Sequence, residues 1–197
     1  MKKSQTILSA AVCFVVGVLM SPSFVWSQAA VDKELFEPKD LAEWIRTGDA
    51  NWSLVDGLMQ ANKGNGYLVS KKQYADFSLR AEIWVDEKAN SGIFIRCQDQ
   101  LRPSTKTGYE VNIYDERPDP DYGTGAIVNV AKVSPMPKAG GKWNTMEITA
   151  KGSQFTVIFN GVVTVGKAED KSFASGYIGL QYGAGLVKFR KVEIKPI

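Results

Sequence analysis

The chain has 197 residues, 44% of them hydrophobic and 23% charged, with 24 basic and 21 acidic side chains, two cysteines and no histidine. This length and mix suit one globular domain and exclude both wholesale disorder and a multi-span membrane protein. Without histidine there is no Ser-His-Asp or Cys-His nucleophile arrangement and no His-containing zinc site, so any chemistry rests on carboxylates, Lys, Arg, Tyr or an oxygen-held metal.

Lys2 and Lys3 precede an apolar run from Ile7 to Met20, and the small or polar residues Ser21, Ser23, Ser27, Ala29 and Ala30 follow. This is the layout of a secretory signal peptide, with an apolar part shorter than the roughly 20 residues a spanning helix needs. The expected organisation is a signal over residues 1–29, cleaved near Ser27 to Ala29, and a single domain over 31–197. The domain would be exported, periplasmic or extracellular, with no membrane span after signal cleavage. Cys13 lies within the hydrophobic stretch, which argues against lipid attachment. With Lys2 and Lys3 set aside the charge is almost balanced, and no Lys/Arg-rich run supplies the footprint of a nucleic-acid binder. Cys97 then stands alone, without a disulfide partner, and reads as a small core hydrophobe.

Asp40 to Ile45 offers the one helical candidate, about a turn, with Asp40 as its cap. From Trp52 onward short alternating stretches are separated by Gly, Asn, Asp and Pro, the pattern of an antiparallel all-β domain. The most regular runs from Phe77 to Val85, with Phe77, Leu79, Ala81, Ile83 and Val85 on one face and Ser78, Arg80, Glu82 and Trp84 on the other. Ile93, Ile95 and Cys97 alternate with Phe94 and Arg96, and Tyr109, Val111 and Ile113 with Glu110, Asn112 and Tyr114. Further strands are predicted at Ala126–Val130, Trp143–Ala150, Phe155–Phe159, Val162–Val165, Tyr177–Gln181 and Val187–Lys195. Asn160-Gly161 predicts a two-residue hairpin turn, since both residues tolerate positive φ. So many strands with turn signals at short intervals predict two antiparallel sheets packed face to face, a jelly-roll sandwich.

In a sandwich the faces turned away from the core carry the information. If the three alternating strands are neighbours in one sheet, their outward residues are Arg80, Glu82, Trp84, Phe94, Arg96, Glu110, Asn112 and Tyr114. Charges interleaved with aromatics suit a sugar cleft, in which rings stack on apolar sugar faces and charged groups bind hydroxyls. Within Glu110-Val111-Asn112-Ile113-Tyr114-Asp115, Glu110 and Asn112 point the same way, and Asp115 joins them only across a bulge. Two such carboxylates can form a general acid/base pair. The spacing is similar to the Glu-x-Asp-x-x-Glu strand of laminarinase-type glycoside hydrolases, with Asn112 in place of the middle Asp and Asp115 in place of the last Glu. Asp115, Glu116, Asp119 and Asp121 form an oxygen-rich segment, but Pro118 and Pro120 interrupt it and no Asp-x-Asp-x-Asp-Gly calcium loop is present, so it reads as a solvated turn. No metal and no other cofactor is expected.

Several segments together resemble one family: Leu35-Phe36 with Asp40-Leu41 and Trp44, Trp52 with Asp56-Gly57, Tyr67-Leu68-Val69, and Tyr74 to Phe77. Asn90 to Arg96, Gly108 to Asp115, Thr124 to Ile127, Trp143-Asn144-Thr145, Asn160-Gly161 and Gly176 to Gln181 continue it. The order resembles the 3-keto-disaccharide hydrolase domain family, whose fold is a concanavalin A-like jelly roll. The resemblance implies a polar cleft at Arg96, Glu110 and Asp115, with Asn90 near the rim, and the outward faces of the alternating strands add Trp84, Phe94, Asn112 and Tyr114 as expected substrate-binding residues. Two positions depart from the family: Asn112 stands where Gln is common, and Tyr182 where many members have His.

The implied chemistry begins with a ketone at sugar C3, which acidifies the C2 proton. A carboxylate base can then start elimination of the C1 substituent, and water adds to the resulting enone. On this resemblance Glu110 is the base, Asp115 or a nearby Tyr the proton donor, and Arg96 the electrostatic stabiliser. A carbohydrate, either a glycoside or an oligosaccharide, is the expected partner. A non-catalytic lectin-like module, a laminarinase-like glycosidase and a structural cell-surface domain stand as alternatives. Oligomeric state is not specified by any feature of the sequence.

Overall fold

A computed structural model of the chain describes residues 34–36 and 41–197. The expected export signal and its cleavage site lie outside them. Among the described residues are thirteen strands: β1 (Glu34–Phe36), β2 (Trp44–Gly48), β3 (Ser53–Val55), β4 (Leu58–Ala61), β5 (Gly66–Tyr74), β6 (Phe77–Val85), β7 (Asn90–Cys97), β8 (Tyr109–Ile113), β9 (Trp143–Lys151), β10 (Gln154–Phe159), β11 (Val162–Glu169), β12 (Gly176–Ala184) and β13 (Val187–Pro196). Single 3-10 turns occur at Leu41–Glu43, where one helical turn was predicted, and at Pro120–Tyr122.

The strands form two antiparallel sheets. The first has eight strands in the order β11-β10-β9-β6-β13-β4-β3, with β1 also on β13; the second has five, in the order β2-β5-β12-β7-β8. Alternation explains the first sheet directly. Phe77, Leu79, Ala81, Ile83 and Val85 of β6 are all buried, beside Met146 and Ile148 of β9 and Phe189, Val192 and Ile194 of β13. From the second sheet Leu68, Ile93, Ile95, Val111, Ile113, Ile178 and Leu180 complete the core, each contributing about 1.5–3 kcal/mol by the usual worth of a buried aliphatic side chain. Trp52 is clamped between Tyr182 and Phe189, with ring centroids 6.4 and 6.1 Å away.

Asn160 (φ 50°) and Gly161 (φ 79°) make the predicted two-residue turn, with Phe159 opposite Val162. Two expectations need correction. Residues 126–130 are not a strand but a folded segment bridging the open edge of β8, with Val111 paired to Ile127. Nor do the three alternating strands share a sheet: β6 belongs to the first, β7 and β8 to the second. Arg80, Glu82 and Trp84 are therefore separated from Glu110 by the full thickness of the sandwich.

Candidate functional site

The outer face of the second sheet is built from the residues that alternate with its core set. Cross-strand registers align them in two rows. One reads Thr47, Tyr67, Gln181, Gly92, Asn112; the other reads Ile45, Val69, Gly179, Phe94, Glu110. A polar row thus lies beside an apolar row that ends in a carboxylate. Each row crosses a glycine, and these glycines leave room for larger neighbours. A Cβ on Gly92 would sit 3.2 Å from Cγ and Oε1 of Glu110, so the Glu110 side chain leans across Gly92 towards the polar row. Over Gly179, Tyr67 meets Phe94 edge to face, at 5.3 Å between centroids and 89° between planes.

This face is not the solvated surface common on sheets. Val69, Phe94, Asn112, Thr47 and Glu110 are all buried, Glu110 with 7% of its surface exposed, while Tyr67 and Gln181 are half-buried. Burial pushes the Glu110 carboxyl up to about 7 from an ordinary 4.5, and Arg117 is the cation that opposes the shift. No hydrogen-bond donor for that carboxylate is found among the described residues. The Tyr67 phenol is raised above its ordinary value, first by burial, against which the Gln181 side chain acts, and further by the neighbouring Glu110 carboxylate. Three buried side-chain oxygens on this face have no hydrogen-bond partner among the described residues: Thr47 Oγ1, Gln181 Oε1 and Asn112 Oδ1. A buried polar atom left unpaired costs roughly 1–3 kcal/mol, so three on one face are acceptors that donors from a bound molecule or water can satisfy. The Asn112 amide nitrogen is already used, donating to Tyr122 O at 2.6 Å.

Of the predicted site residues, Glu110, Asn112 and Phe94 meet here. Arg96 does not. Between Phe94 and Cys97, β7 carries one more residue than β12, a bulge at which Arg96 takes φ 52° and its side chain leaves the face. It is fully buried, donating to Ala75 O (2.9 Å), Gly152 O (2.7 Å), Phe173 O (3.1 Å) and the Asp76 carboxylate (3.0 Å), with its guanidinium 5.2 Å from the Phe155 ring centre. This geometry gives Arg96 a structural role in place of the expected electrostatic one. Asp115 is corrected as well. Its carboxylate accepts from Thr124 Oγ1 (2.6 Å), Ala139 N (2.8 Å) and Gly140 N (2.9 Å), so both oxygens are spent fastening the 124 and 139–140 segments. It lines a separate recess of about 280 Å³ with Glu87, Glu116, Lys138 and Gly140. Trp84 lies on the first sheet, opposite Trp143 and under Lys188 Nζ at 4.9 Å, and forms no wall of this site. Asn90 opens β7 against Gly183, and Tyr114 follows the last residue of β8, half-buried. Tyr182, at the second departure from the family pattern, points into the core and donates to Gly185 O at 2.9 Å.

Thr47, Tyr67, Gln181 and Arg117 were not anticipated as site residues. The segments containing Tyr67 and Gln181 were visible as part of the resemblance, but their shared row depends on β5 pairing with β12 across more than a hundred residues. The Cys97 thiol is buried and pushed up to about 12, which suits a packing residue and not a nucleophile. Among the described residues no cluster of three or more Cys, Asp or Glu is placed to hold a metal ion, and no helix is long and apolar enough to cross a membrane.

Solved structures share this architecture. A candidate glycosyl hydrolase from Parabacteroides distasonis superposes with a TM-score of 0.70 at 24% identity, covering 83% of this chain and 100% of that one. A second from the same organism gives 0.71 at 19%, covering 81% and 91%. The carbohydrate-binding module CBM66 from Bacillus subtilis gives 0.63 at 19%, covering 78% and 95%. No curated protein matches the chain. The 3-keto-alpha-glucoside-1,2-lyase-like domain matches residues 32–195, which takes in both sheets and every residue of the two rows. The two-sheet fold and that match together make the chain a member of the 3-keto-alpha-glucoside-1,2-lyase-like domain family.

Proposed function

We propose that the protein is an exported enzyme that cleaves 3-keto-glycosides, with Glu110 as the base that removes the C2 proton. The observation that carries this reading is the state of Glu110: a buried carboxyl with no hydrogen-bond donor, shifted to about 7, beside half-open polar groups. A base of that strength exchanges protons readily near neutral pH, which suits a carbon acid activated by an adjacent ketone. Arg117, the cation felt by Glu110, replaces Arg96 as the charge that favours the ionised base. Phe94 and Tyr67 supply apolar wall, and Asn112 and Gln181 offer acceptors to sugar hydroxyls. The family match and the carbohydrate-related fold neighbours support the same substrate class. The basic start at Lys2-Lys3 followed by the apolar Ile7–Met20 run supports export.

A two-carboxylate glycosidase is disfavoured, because that mechanism needs a second free carboxyl a short distance from the first, and Asp115 is fully engaged elsewhere. The test is turnover of a 3-keto-glucoside and of its unoxidised parent in deuterated water. Deuterium should enter C2 of the keto sugar and the C1–O bond should break. Glu110→Gln should lower the rate about 10²- to 10⁴-fold while sugar binding survives, because the amide keeps the shape but cannot take a proton. Cleavage of the unoxidised glucoside without C2 exchange would replace elimination by ordinary hydrolysis. Binding without turnover of either sugar would make this a lectin-like module.

A further inference from the structure

Elimination across C1–C2 needs a proton for the departing oxygen as well as a base, and with Asp115 engaged elsewhere the outer face of the second sheet offers a different donor. Tyr67 sits in the polar row, one strand from Gln181 and two from Gly92, the glycine across which Glu110 leans. It is a hydroxyl-bearing ring on the half-open part of the face, fixed by its edge contact with Phe94 and flanked by Thr47 on one side and Gln181 on the other. The orphaned oxygens of Thr47, Gln181 and Asn112 lie along the same row, not along a strand. At about 4.8 Å between strands, the row from Tyr67 to Asn112 spans roughly 15 Å. A ligand that satisfies these acceptors with its hydroxyls must lie across the strands, with the Glu110 carboxylate, leaning over Gly92, and the Tyr67 phenol, near enough to feel its charge, both facing the middle of the ligand.

Resting on the keto-glycoside reading above, we propose that Tyr67 is the proton donor to the departing glycosidic oxygen and that the substrate lies crosswise on the Thr47–Asn112 row. Glu110 takes the C2 proton, and the C–H electron pair becomes the C2=C3 bond of an enolate. As the ketone reforms, the C1–O bond breaks, a C1=C2 bond forms, and the leaving oxygen takes the phenol proton of Tyr67. Water then adds to C1 and returns a proton to the Tyr67 phenolate, while Glu110 returns its proton to C2. Both side chains are restored, and the sum is one glycosidic bond exchanged for one water. The raised ionisation of Tyr67 keeps the phenol protonated at neutral pH, as a donor requires.

The test compares methyl and 4-nitrophenyl 3-keto-glucosides with the wild type and with Tyr67→Phe, which preserves the ring contact with Phe94. A nitrophenolate leaves without a proton; an alkoxide does not. Tyr67→Phe should keep C2 exchange in deuterated water, lose about 10²-fold or more on the methyl glucoside, and lose less than about tenfold on the nitrophenyl one. As a second measurement, 3-fluorotyrosine at position 67 should move the alkaline limb of the pH–rate profile for the methyl substrate to lower pH, without requiring the Phe variant to fold. Wild-type rates on the methyl substrate, equal losses on both substrates, or an unmoved alkaline limb would each overturn the assignment. If Glu110→Gln stops C2 exchange while Tyr67→Phe behaves as wild type, the donor role falls and the base role stands. If the wild type neither exchanges nor cleaves either substrate, the function reading falls and takes this inference with it.

Discussion

Arg96 shows how a single backbone torsion decides between a catalytic and a structural arginine. Strand alternation alone places it with Gly92 and Phe94, over the site; the left-handed turn at φ 52° sends it instead to the end of the sandwich. There it ties three carbonyls and Asp76 together, joining the β5–β6 turn, the β9–β10 turn and the segment before β12. Gly152 N also donates to Asp76, so the carboxylate serves both turns. Arg96→Ala would strand these acceptors and open a hole under Phe155. We expect a loss of about 3 kcal/mol or more in denaturant unfolding, with the folded fraction keeping its kcat. Ordinary stability with abolished turnover would return Arg96 to the site. Nothing in the residue type announces this outcome, because a positive φ at arginine carries no sequence signature of the kind that Asn160-Gly161 does.

At the scale of elements, legibility follows from how each strand is covered. β6 alternates cleanly because one face is core and the other half-open, and its bounds agree residue for residue with the sequence pattern. β5 does not alternate: Leu68, Val69 and Ser70 are buried in succession, because its outer face is covered too, and Lys71 to Gln73 are then exposed in succession. No period of two survives that arrangement, and this strand, which carries Tyr67, is like β1 to β4 not among those that the sequence pattern predicts. β8 is buried at all five positions for the same reason, yet Glu110 and Asn112 could still be placed on one side, since pleating alone fixes that. What pleating cannot supply is the neighbour, and assigning β6 to the sheet of β7 and β8 put Trp84 in the wrong place. Gly92 belongs to this scale as well, because its lack of a side chain is what lets an adjacent strand's carboxylate reach the polar row. Gly92→Ala adds a methyl 3.2 Å from Glu110 Cγ and Oε1 and from the backbone oxygen of Val111, at a φ that alanine accepts. The flexible carboxylate can yield but the Val111 carbonyl cannot, so the unfolding temperature should fall slightly, while kcat on a 3-keto-glucoside falls about tenfold or more. Unchanged kcat would mean that the lean of Glu110 over Gly92 has no part in the reaction.

For the whole molecule, keeping a carboxyl on a covered sheet face has a cost that global stability must record. Glu110 ionises near 4.5 when unfolded and near 7 when folded, so between those values the folded state holds a proton that the unfolded state has released. With more protons bound in the native state, stability falls as pH rises through that window and levels off above it. A shift of this size corresponds to about 3 kcal/mol, given 1.36 kcal/mol per pH unit and burial that leaves 7% of the residue exposed. Glu110→Gln removes the ionisation but keeps the shape, so its unfolding free energy should match wild type near pH 4.5 and exceed it by about that amount near pH 8. Chemical denaturation of both proteins from pH 4.5 to 8 measures the difference directly, and because glutamine cannot titrate, the two curves must diverge with rising pH and never converge. A wild type and variant that run parallel through this range would show Glu110 ionising as an ordinary exposed carboxylate, and the base strength assigned to it would go with the burial. Divergence would show that the outer face of the second sheet is maintained against the stability of the sandwich, a loss expected of a face that binds and reacts and not of one that merely packs.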